Sequence, residues 1–535
     1  MTSIPLQLGD ELPQPSAPLG VLPEFAAERH GETPFLSDVP WAGYGKPVDT
    51  VGDFATAVHD YADRLWAAGI RRGDMVAVVQ RNHVEVHAVM CALSRIGALP
   101  ALISAAMEPG ELLECLARMD RPWLVVDAAG GAQLAGTSHA VSAVTQRVIS
   151  LAETGLPWVS LAGEHQAHQA HPRPEDEWAV ITHSSGTTGV PKLAAHSTRS
   201  LFGMVAPQIA LCRQYGSEGL AAKHLSFVHV RTCSGVLSFL EVAMPLLAMA
   251  NPHPDHVKRL LLEHKPVSVE THPNVYIQWE RLAADPDRPF GSVQRFVSTF
   301  DAMHPRTIRA LLAGSDRPDA HYLQGYGQTE TGPVSLRIVP ASDAGAYQGR
   351  NVGFTAGGSQ VRVVGPDGAP TAAGAVGSIE SRSPGRMRGY LGGAAMPADD
   401  EWWPMGDIGR VLPDGSLELL DRIVDHAGDV ESLLVAEDKL LDMFPELIEV
   451  VLIKLGEDDG SLAAVACPAP GTQLDVPRFQ EAARELSLGL VPVHVWPWES
   501  LPLTGSYKVR RMHLRKRLTA VLRPARADST PAAAR

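Results

Sequence analysis

Ser184, Ser185, Gly186, Thr187, Thr188, Gly189 and Lys192 crowd hydroxyls, glycines and one cation into a single short run. Residues of these types bind phosphate. Glycines let the backbone approach an anion closely, while hydroxyls and amide N–H groups donate hydrogen bonds without bulk. Lys192 adds a positive charge. A lone Gly-Thr-Thr-Gly would read as a flexible turn. Here two serines precede it, Pro191 and Lys192 follow, and an apolar strand expected over Trp178 to Thr182 leads directly into it. The GxxxxGK[ST] spacing of the mononucleotide P-loop is not met between Gly186 and Lys192.

The run instead resembles the signature of the adenylate-forming superfamily, which includes acyl-CoA synthetases, nonribosomal peptide adenylation domains and beetle luciferases. Further segments resemble the same family and follow its order. Gln324-Gly325-Tyr326-Gly327-Gln328-Thr329-Glu330-Thr331 looks like its second nucleotide motif. The resemblance implies that Tyr326 stacks on adenine, that Thr329 contacts the α-phosphate, and that Glu330 holds Mg²⁺, a hard cation suited to a carboxylate. Ser298 to Ala302, with Asp301, occupies the strand end that lines the adenine in the family. Trp403 to Gly409 resembles the motif whose aspartate, here Asp407, takes the ribose hydroxyls. Asp421-Arg422 matches the start of the family's hinge, which puts Arg422 near the ribose. Pro502 to Val509 resembles the motif that brings in a catalytic lysine, here Lys508.

The implied reaction is attack of a carboxylate on the α-phosphorus of ATP with loss of pyrophosphate. Two anions must meet, so positioning and charge neutralisation carry most of the catalysis. Lys508 is expected to bridge the carboxylate and α-phosphate oxygens. His229, in Phe227-Val228-His229-Val230, sits where the family often carries a residue gating the acid pocket; a purely structural histidine is the alternative. Cys233 and Ser234 have no base to pair with, so the activated intermediate is expected to be the adenylate itself.

The chain departs from the thioester-forming members after Asp421-Arg422. The usual polar hinge residue is Val424, and the glycine that lets a pantetheine arm pass falls near Glu431, a bulky anion. Gly377-Ser378 replaces a Gly-Glu pair. Val269 to Glu280 and Ser298 to Pro305 look like the stand-alone amide bond synthetases of natural-product pathways. The expected second half-reaction is therefore transfer of an aryl or acyl group to an amine. CoA thioester formation, loading of a carrier protein and a non-catalytic nucleotide sensor are the alternatives.

These residues need a frame. From Asp53 onward, helical periodicity over Phe54 to Ala68 and Val84 to Ile96 alternates with apolar runs Met75 to Val79, Leu99 to Ile103 and Trp123 to Val126. That alternation predicts an α/β fold with parallel strands covered by helices. Gly349 to Gly415 reads as an antiparallel β section containing strands Gln360 to Gly365 and Gly377 to Ser381. Lys439 to Phe444, Ile448 to Lys454, Leu462 to Cys467, Val476 to Leu486 and Val493 to Val495 form a small α+β unit. The expected division is a large N-terminal domain, 1–421, a mobile C-terminal lid, 422–524, carrying Lys508, and a disordered tail, 525–535. Residues 1 to about 25 read as a proline-rich surface arm. Thr271 is expected to cap a helix with Pro273 in its first turn.

A net charge of −14 argues against nucleic-acid or anionic-membrane partners. The five scattered cysteines have no metal-site spacing and fit reduced thiols. The N-terminus lacks a basic start and apolar core, and Leu237 to Ala250 is too short to span a bilayer. The expectation is a soluble cytoplasmic enzyme acting on small molecules.

Overall fold

The computed structural model describes residues 13–527 except 152–157, 162–164, 185–190, 302, 346, 348–349, 394–395, 397–399, 428–429, 457–460 and 490–491. Three sheets organise the chain. The first has eight strands in the order Gly389–Tyr390, Leu193–Ser197, Trp178–His183, Leu99–Ser104, Met75–Gln80, Trp123–Val126, Arg147–Ser150 and Val159–Ser160. Its central strands pair in parallel and are buried. Runs such as Met75-Val76-Ala77-Val78-Val79 lack polar alternation because helices cover both faces.

The second sheet has twelve strands. It runs parallel from Phe35–Ser37 through Leu246–Ala248, Ala221–His224, Ser268–Thr271 and Arg295–Ser298 to His321–Gln328. From Gly332–Pro340 it turns antiparallel, continuing through Asn351–Thr355, Leu417–Arg422, Trp403–Val411, Gly377–Arg382 and Gln360–Val364. One core joins the two large sheets, taking Val76, Val78 and Leu102 from the first and Phe35, Ala221 and Leu246 from the second. Between them lies the helix Glu85–Ile96, all of whose residues are buried. The third sheet, Leu447–Lys454, Leu462–Pro468 and Val493–Val495, packs with helices Leu433–Met443, Val476–Glu485 and Arg511–Ala527. No helix among the described residues is long and apolar enough to cross a membrane.

Several expectations are corrected. The helix predicted from Phe54 starts at Val51, because Thr50 accepts from the Asp53 amide while Asp53 accepts from the Thr50 amide, closing a capping box. The described part of the N-terminal arm is inlaid rather than laid over the surface: Ala17 and Leu19 are buried, and a helix already runs over Leu22–His30. Thr271 caps nothing. It ends a buried strand, and its hydroxyl donates to the His224 carbonyl (2.7 Å), leaving His272 as N-cap of helix Pro273–Ala283 with no side-chain cap bond. The helix anticipated near Lys439 begins at Leu433, where Ser432 accepts from the Val435 amide. The final helix runs Arg511–Ala527, through Pro524 and past the expected start of the tail at 525.

Candidate functional site

A cavity of about 530 Å³ opens between the carboxyl ends of the parallel strands and the small third-sheet unit. Ser184, Lys192, His229, Gly327, Gln328, Thr329, Glu330, Arg422 and Lys508 all line it. Ser184 and Lys192 form the stem of the glycine-rich loop. The Ser184 amide donates to the Lys192 carbonyl (2.8 Å), and the Lys192 amide donates to Ser184 Oγ (3.0 Å). Ser185, Gly186, Thr187, Thr188 and Gly189, expected to cradle phosphate, lie outside the described residues. The Lys192 ammonium sits 5.0 Å from the Tyr390 ring centroid, and the Tyr390 hydroxyl donates to Glu330 Oε1 (2.6 Å). Cation, aromatic ring and carboxylate thus stand in one row along one wall of the cavity. Among the described residues no three His, Cys, Asp or Glu side chains cluster as a metal cage. A single carboxylate on the wall of such a cavity still fits the chemistry of Mg²⁺, which keeps several waters and is completed by substrate phosphates.

Opposite this row, the Tyr326 hydroxyl donates to Asp407 Oδ2 (2.7 Å), and the Arg422 guanidinium pairs with Asp407 Oδ1 (3.0 Å). Burial pushes the Asp407 carboxyl above its ordinary value, against the pull of Arg422 and Tyr326. Burial likewise pushes the Lys508 ammonium down; Asp301, Asp407 and Glu330 oppose the shift and Arg422 adds to it. Lys508 therefore stands in the field of three carboxylates while losing water. Asp301 lines a smaller adjoining cleft with Arg422 and Lys508.

His229 caps the helix Val230–Val242. Its Nδ1 accepts from the Arg231 amide (3.1 Å), and its Nε2 lies 3.3 Å from Thr329 Oγ1. Burial, followed by the charge of Lys508, holds its pKa well below the ordinary value. The ring is neutral, and with Nδ1 taken its proton resides on Nε2. Phe300 packs on both His229 (4.4 Å between centroids) and His272 (4.2 Å), and His272 packs on Tyr507 (5.3 Å). Phe300 (φ 89°) and Tyr507 (φ 58°) both adopt left-handed backbone, a cost of order 1–3 kcal/mol each, held by this stack beside the cavity.

Arg231, Met204, Thr299 and Pro333 also line a second cavity, of about 870 Å³, so the two adjoin. Its walls are mostly apolar, with Arg295, Asp319 and His321 on the lining and a separate ionic cluster. Lys223 Nζ lies 2.6 Å from Glu270 Oε2, and Arg231 binds both oxygens of Glu270 at 2.9 Å.

The third-sheet unit is docked by specific contacts. Asn274 Nδ2 donates to the Tyr507 carbonyl (2.6 Å), and Arg510 pairs with Glu111 (2.7 Å). Arg306 donates to the carbonyls of Leu441 and Leu447, and Arg350 pairs with Asp438 (2.8 Å). His304 lies between Asp438 (2.6 Å) and Glu449 (3.3 Å). Burial lowers its pKa, but the two carboxylates win and raise it to about 10. A group raised in the folded state stabilises fully below its unfolded pKa near 6.5, and its contribution is lost as pH rises towards 10. Docking of the third-sheet unit is expected to loosen over that range, measured as faster hydrogen exchange in 433–454. His304→Ala should flatten the pH dependence.

Sequence motifs thus bring Ser184, Lys192, His229, Gly327, Gln328, Thr329, Glu330, Arg422 and Lys508 to one cavity, with Tyr326, Asp407 and Asp301 directly behind its wall. They miss Tyr390, Phe300, His272 and Asn274, and the partnership of Lys223 and Arg231 with Glu270. The available signal for the last was a lysine and a glutamate inside buried strands, where charged residues are rare unless paired.

Residues 24–391 match the family of AMP-binding enzymes. The chain is 36% identical to 3-amino-2-hydroxy-4-methoxybenzoate diazotase of Streptomyces cremeus, over 94% of this chain and 96% of that protein. It is 27% identical to 3-aminoavenalumate diazotase of a Streptomyces species, over 76% and 74%. Among solved structures, the amide bond synthetase McbA from Marinactinospora thermotolerans is similar at TM-score 0.75 and 21% identity, covering 94% of this chain and 100% of that one. The anthranilate CoA ligase AuaEII in complex with anthranoyl-AMP gives TM-score 0.81 at 17% identity, covering 96% and 99%. Both structural likenesses bear on fold. The family match and the near full-length identity make this chain a member of the AMP-binding enzyme family, an adenylate-forming ligase.

Proposed function

We propose that the chain uses ATP to activate nitrite as its mixed anhydride with AMP and transfers the nitrosyl group to an aromatic amine, so that the overall reaction is diazotisation. The observation that carries this reading is the 36% identity to a diazotase across nearly the whole of both chains. The two adjoining cavities support it, offering one room for the nucleotide and one for an aromatic partner.

In this reading the loop stem at Ser184 and Lys192 holds the phosphates, with Thr329 beside them. Tyr326, Asp407, Arg422 and Asp301 hold the nucleoside end. Glu330 would hold Mg²⁺, which supplies neutralisation of phosphate charge. Lys508 draws the oxyanion and the α-phosphate together. An oxygen of nitrite forms a bond to the α-phosphorus as pyrophosphate leaves. The amine nitrogen then attacks the nitroso nitrogen, AMP leaves, and a proton passes to the departing phosphate or solvent. The N-nitroso product tautomerises to the diazohydroxide and loses hydroxide, as water, to give the diazonium ion. His229 acts as a wall and hydrogen-bond donor in these steps, because Nδ1 is occupied and Nε2 carries its proton. The division at 421–422 into a body and a lid carrying Lys508 belongs to the same proposal.

The second reading is amide formation, with a carboxylate in place of nitrite. In either case Val424, which lines the smaller cleft beside Lys508, stands where the thioester-forming members carry a polar hinge residue. Glu431 keeps its carboxylate on the surface, paired with Arg410 (2.8 Å).

The test supplies ATP and Mg²⁺ with nitrite or with aryl and alkyl carboxylates, then an aromatic amine or CoA, and identifies products by mass spectrometry. A diazonium product that requires nitrite and ATP is expected. An amide formed without nitrite establishes the second reading, and a thioester alone overturns both.

A further inference from the structure

We propose that Lys223, Arg231 and Glu270 form an anchor for a carboxylate carried on the ring of the amine substrate, which makes aminobenzoates the substrate class. The inference rests on the diazotisation reading and extends it to a part of the molecule that does not react.

Strand alternation builds the anchor. Residues 221 and 223 of one strand and 268 and 270 of the next present the same face to the second cavity, and parallel pairing sets Lys223 directly beside Glu270. Arg231 reaches them from the helix that covers this face. Two cations thus meet one anion. Glu270 stays ionised: burial opposes its charge, but Arg231 and Lys223 together hold its carboxyl below the ordinary value. Burial pushes Lys223 down to about 8, which leaves it protonated at neutral pH. The cluster therefore carries an excess of one positive charge.

Among the described residues lining this part of the cavity, no second anion meets the cluster. Arg231 also donates to Gln208 Oε1 (3.0 Å), a neutral acceptor, and Lys223 lies 4.3 Å from the Phe239 ring centroid. The remaining anion on the cavity wall, Asp319, is exposed at the far end and accepts from Gln294 and Arg317. Arg295 adds a further cation there, and burial keeps His321 below its ordinary pKa. A net positive charge buried in apolar surroundings is costly until an anion joins it.

Diazotisation consumes an amine and leaves a ring carboxylate unchanged, so that carboxylate needs a standing partner. Arg231 lies at the junction of the two cavities. A ring whose carboxylate rests on the cluster can direct its amine through the shared opening towards Thr329 and Lys508. A free nitrite ion has the same charge and competes as an explanation; the test separates the two.

The test measures binding of 3-aminobenzoate and of 3-aminobenzamide to the full chain by calorimetry, in wild type and in Lys223→Met. The substitution makes the cluster neutral and keeps the Arg231–Glu270 pair. Wild type is expected to bind the carboxylate at least about 10-fold tighter than the amide, as for a charge-assisted contact. Lys223→Met should lose that preference, bind the amide within about twofold of wild type, and keep the nitrite KM for pyrophosphate release. Equal binding of both ligands by wild type, an equal loss for both in the variant, or a rise confined to the nitrite KM overturns the anchor. Should Lys223→Met fail to fold, the wild-type ligand pair decides alone. Selective carboxylate binding without diazonium product would refute diazotisation and leave the anchor. Diazonium formed equally well from both amines would do the reverse.

Discussion

Lys508→Ala is expected to lower oxyanion-dependent pyrophosphate release by about 10²–10³-fold or more, while ATP binding changes only a few-fold. The two effects separate because the site is divided. The loop stem at Ser184 and Lys192, the Glu330–Tyr390 pair and the Tyr326–Asp407–Arg422 group remain intact without Lys508. What disappears is the cation expected to meet both the incoming oxyanion and the α-phosphate. Without it two anions approach each other in a cavity of low dielectric, where their repulsion is poorly screened. Isotope exchange between pyrophosphate and ATP isolates this step from amine transfer. Exchange at the wild-type rate would show that Lys508 is a docking residue alone. Weakened ATP binding with unchanged turnover at saturation would show that it serves the ground state alone. A control is Asn274→Ala, which removes the hydrogen bond to the Tyr507 carbonyl but leaves the ammonium in place. It should lower exchange far less, by a factor set by how often the third-sheet unit docks.

The strands were readable where composition decides them. Trp123–Val126 and Val493–Val495 fall where the apolar runs predict, because β-branched and aromatic residues bounded by turn formers leave little choice. Helix starts were less readable. Thr50 and Asp53 close a capping box that a hydrophobic pattern does not register, and Thr271 has the right chemistry for a cap but spends its hydroxyl on a neighbouring strand. The predicted residues that line the first cavity were readable as a group because each sits in a short contiguous motif. The carboxylate partners of His304 were not: Asp438 and Glu449 come from the third-sheet unit, far along the chain. Nor was the ionic cluster, since Lys223, Arg231 and Glu270 meet only through parallel pairing and helix packing. Non-local charge pairing leaves no periodic trace in a sequence. Its one trace is a charged residue among apolar neighbours, as with Lys223 in Ala221-Ala222-Lys223-His224.

Glu270→Ala is expected to destabilise the protein by about 3–5 kcal/mol, since it removes the anion shared by the buried Lys223 and the part-buried Arg231. Glu270 is 2% exposed and receives three contacts, one from Lys223 at 2.6 Å and two from Arg231 at 2.9 Å. Replacing it leaves two like charges facing each other with little water, so the loss exceeds that of an ordinary hydrogen bond. In a domain of about 400 residues it should appear as a drop in Tm of roughly 3–6 °C. The pH dependence carries a sign that distinguishes charge from packing. Lys223 has a folded pKa of about 8, below its ordinary 10.5, so the unfolded chain binds more protons between those values and this group adds stability as pH rises through them. Without Glu270 the folded value drops further, and Lys223 sheds its proton at lower pH. The gap between wild type and variant should therefore narrow as pH is raised from the variant's lower folded value up to about 8, because Lys223 is then neutral only in the variant and its repulsion with Arg231 fades; above 8 both proteins gain alike and the gap stays level. A gap independent of pH would mean that the loss is one of volume and packing. Added salt should change the gap little, since the cluster is shielded from solvent ions. A 3-aminobenzoate ligand should stabilise the variant at least as strongly as wild type, because its carboxylate supplies the anion the variant lacks.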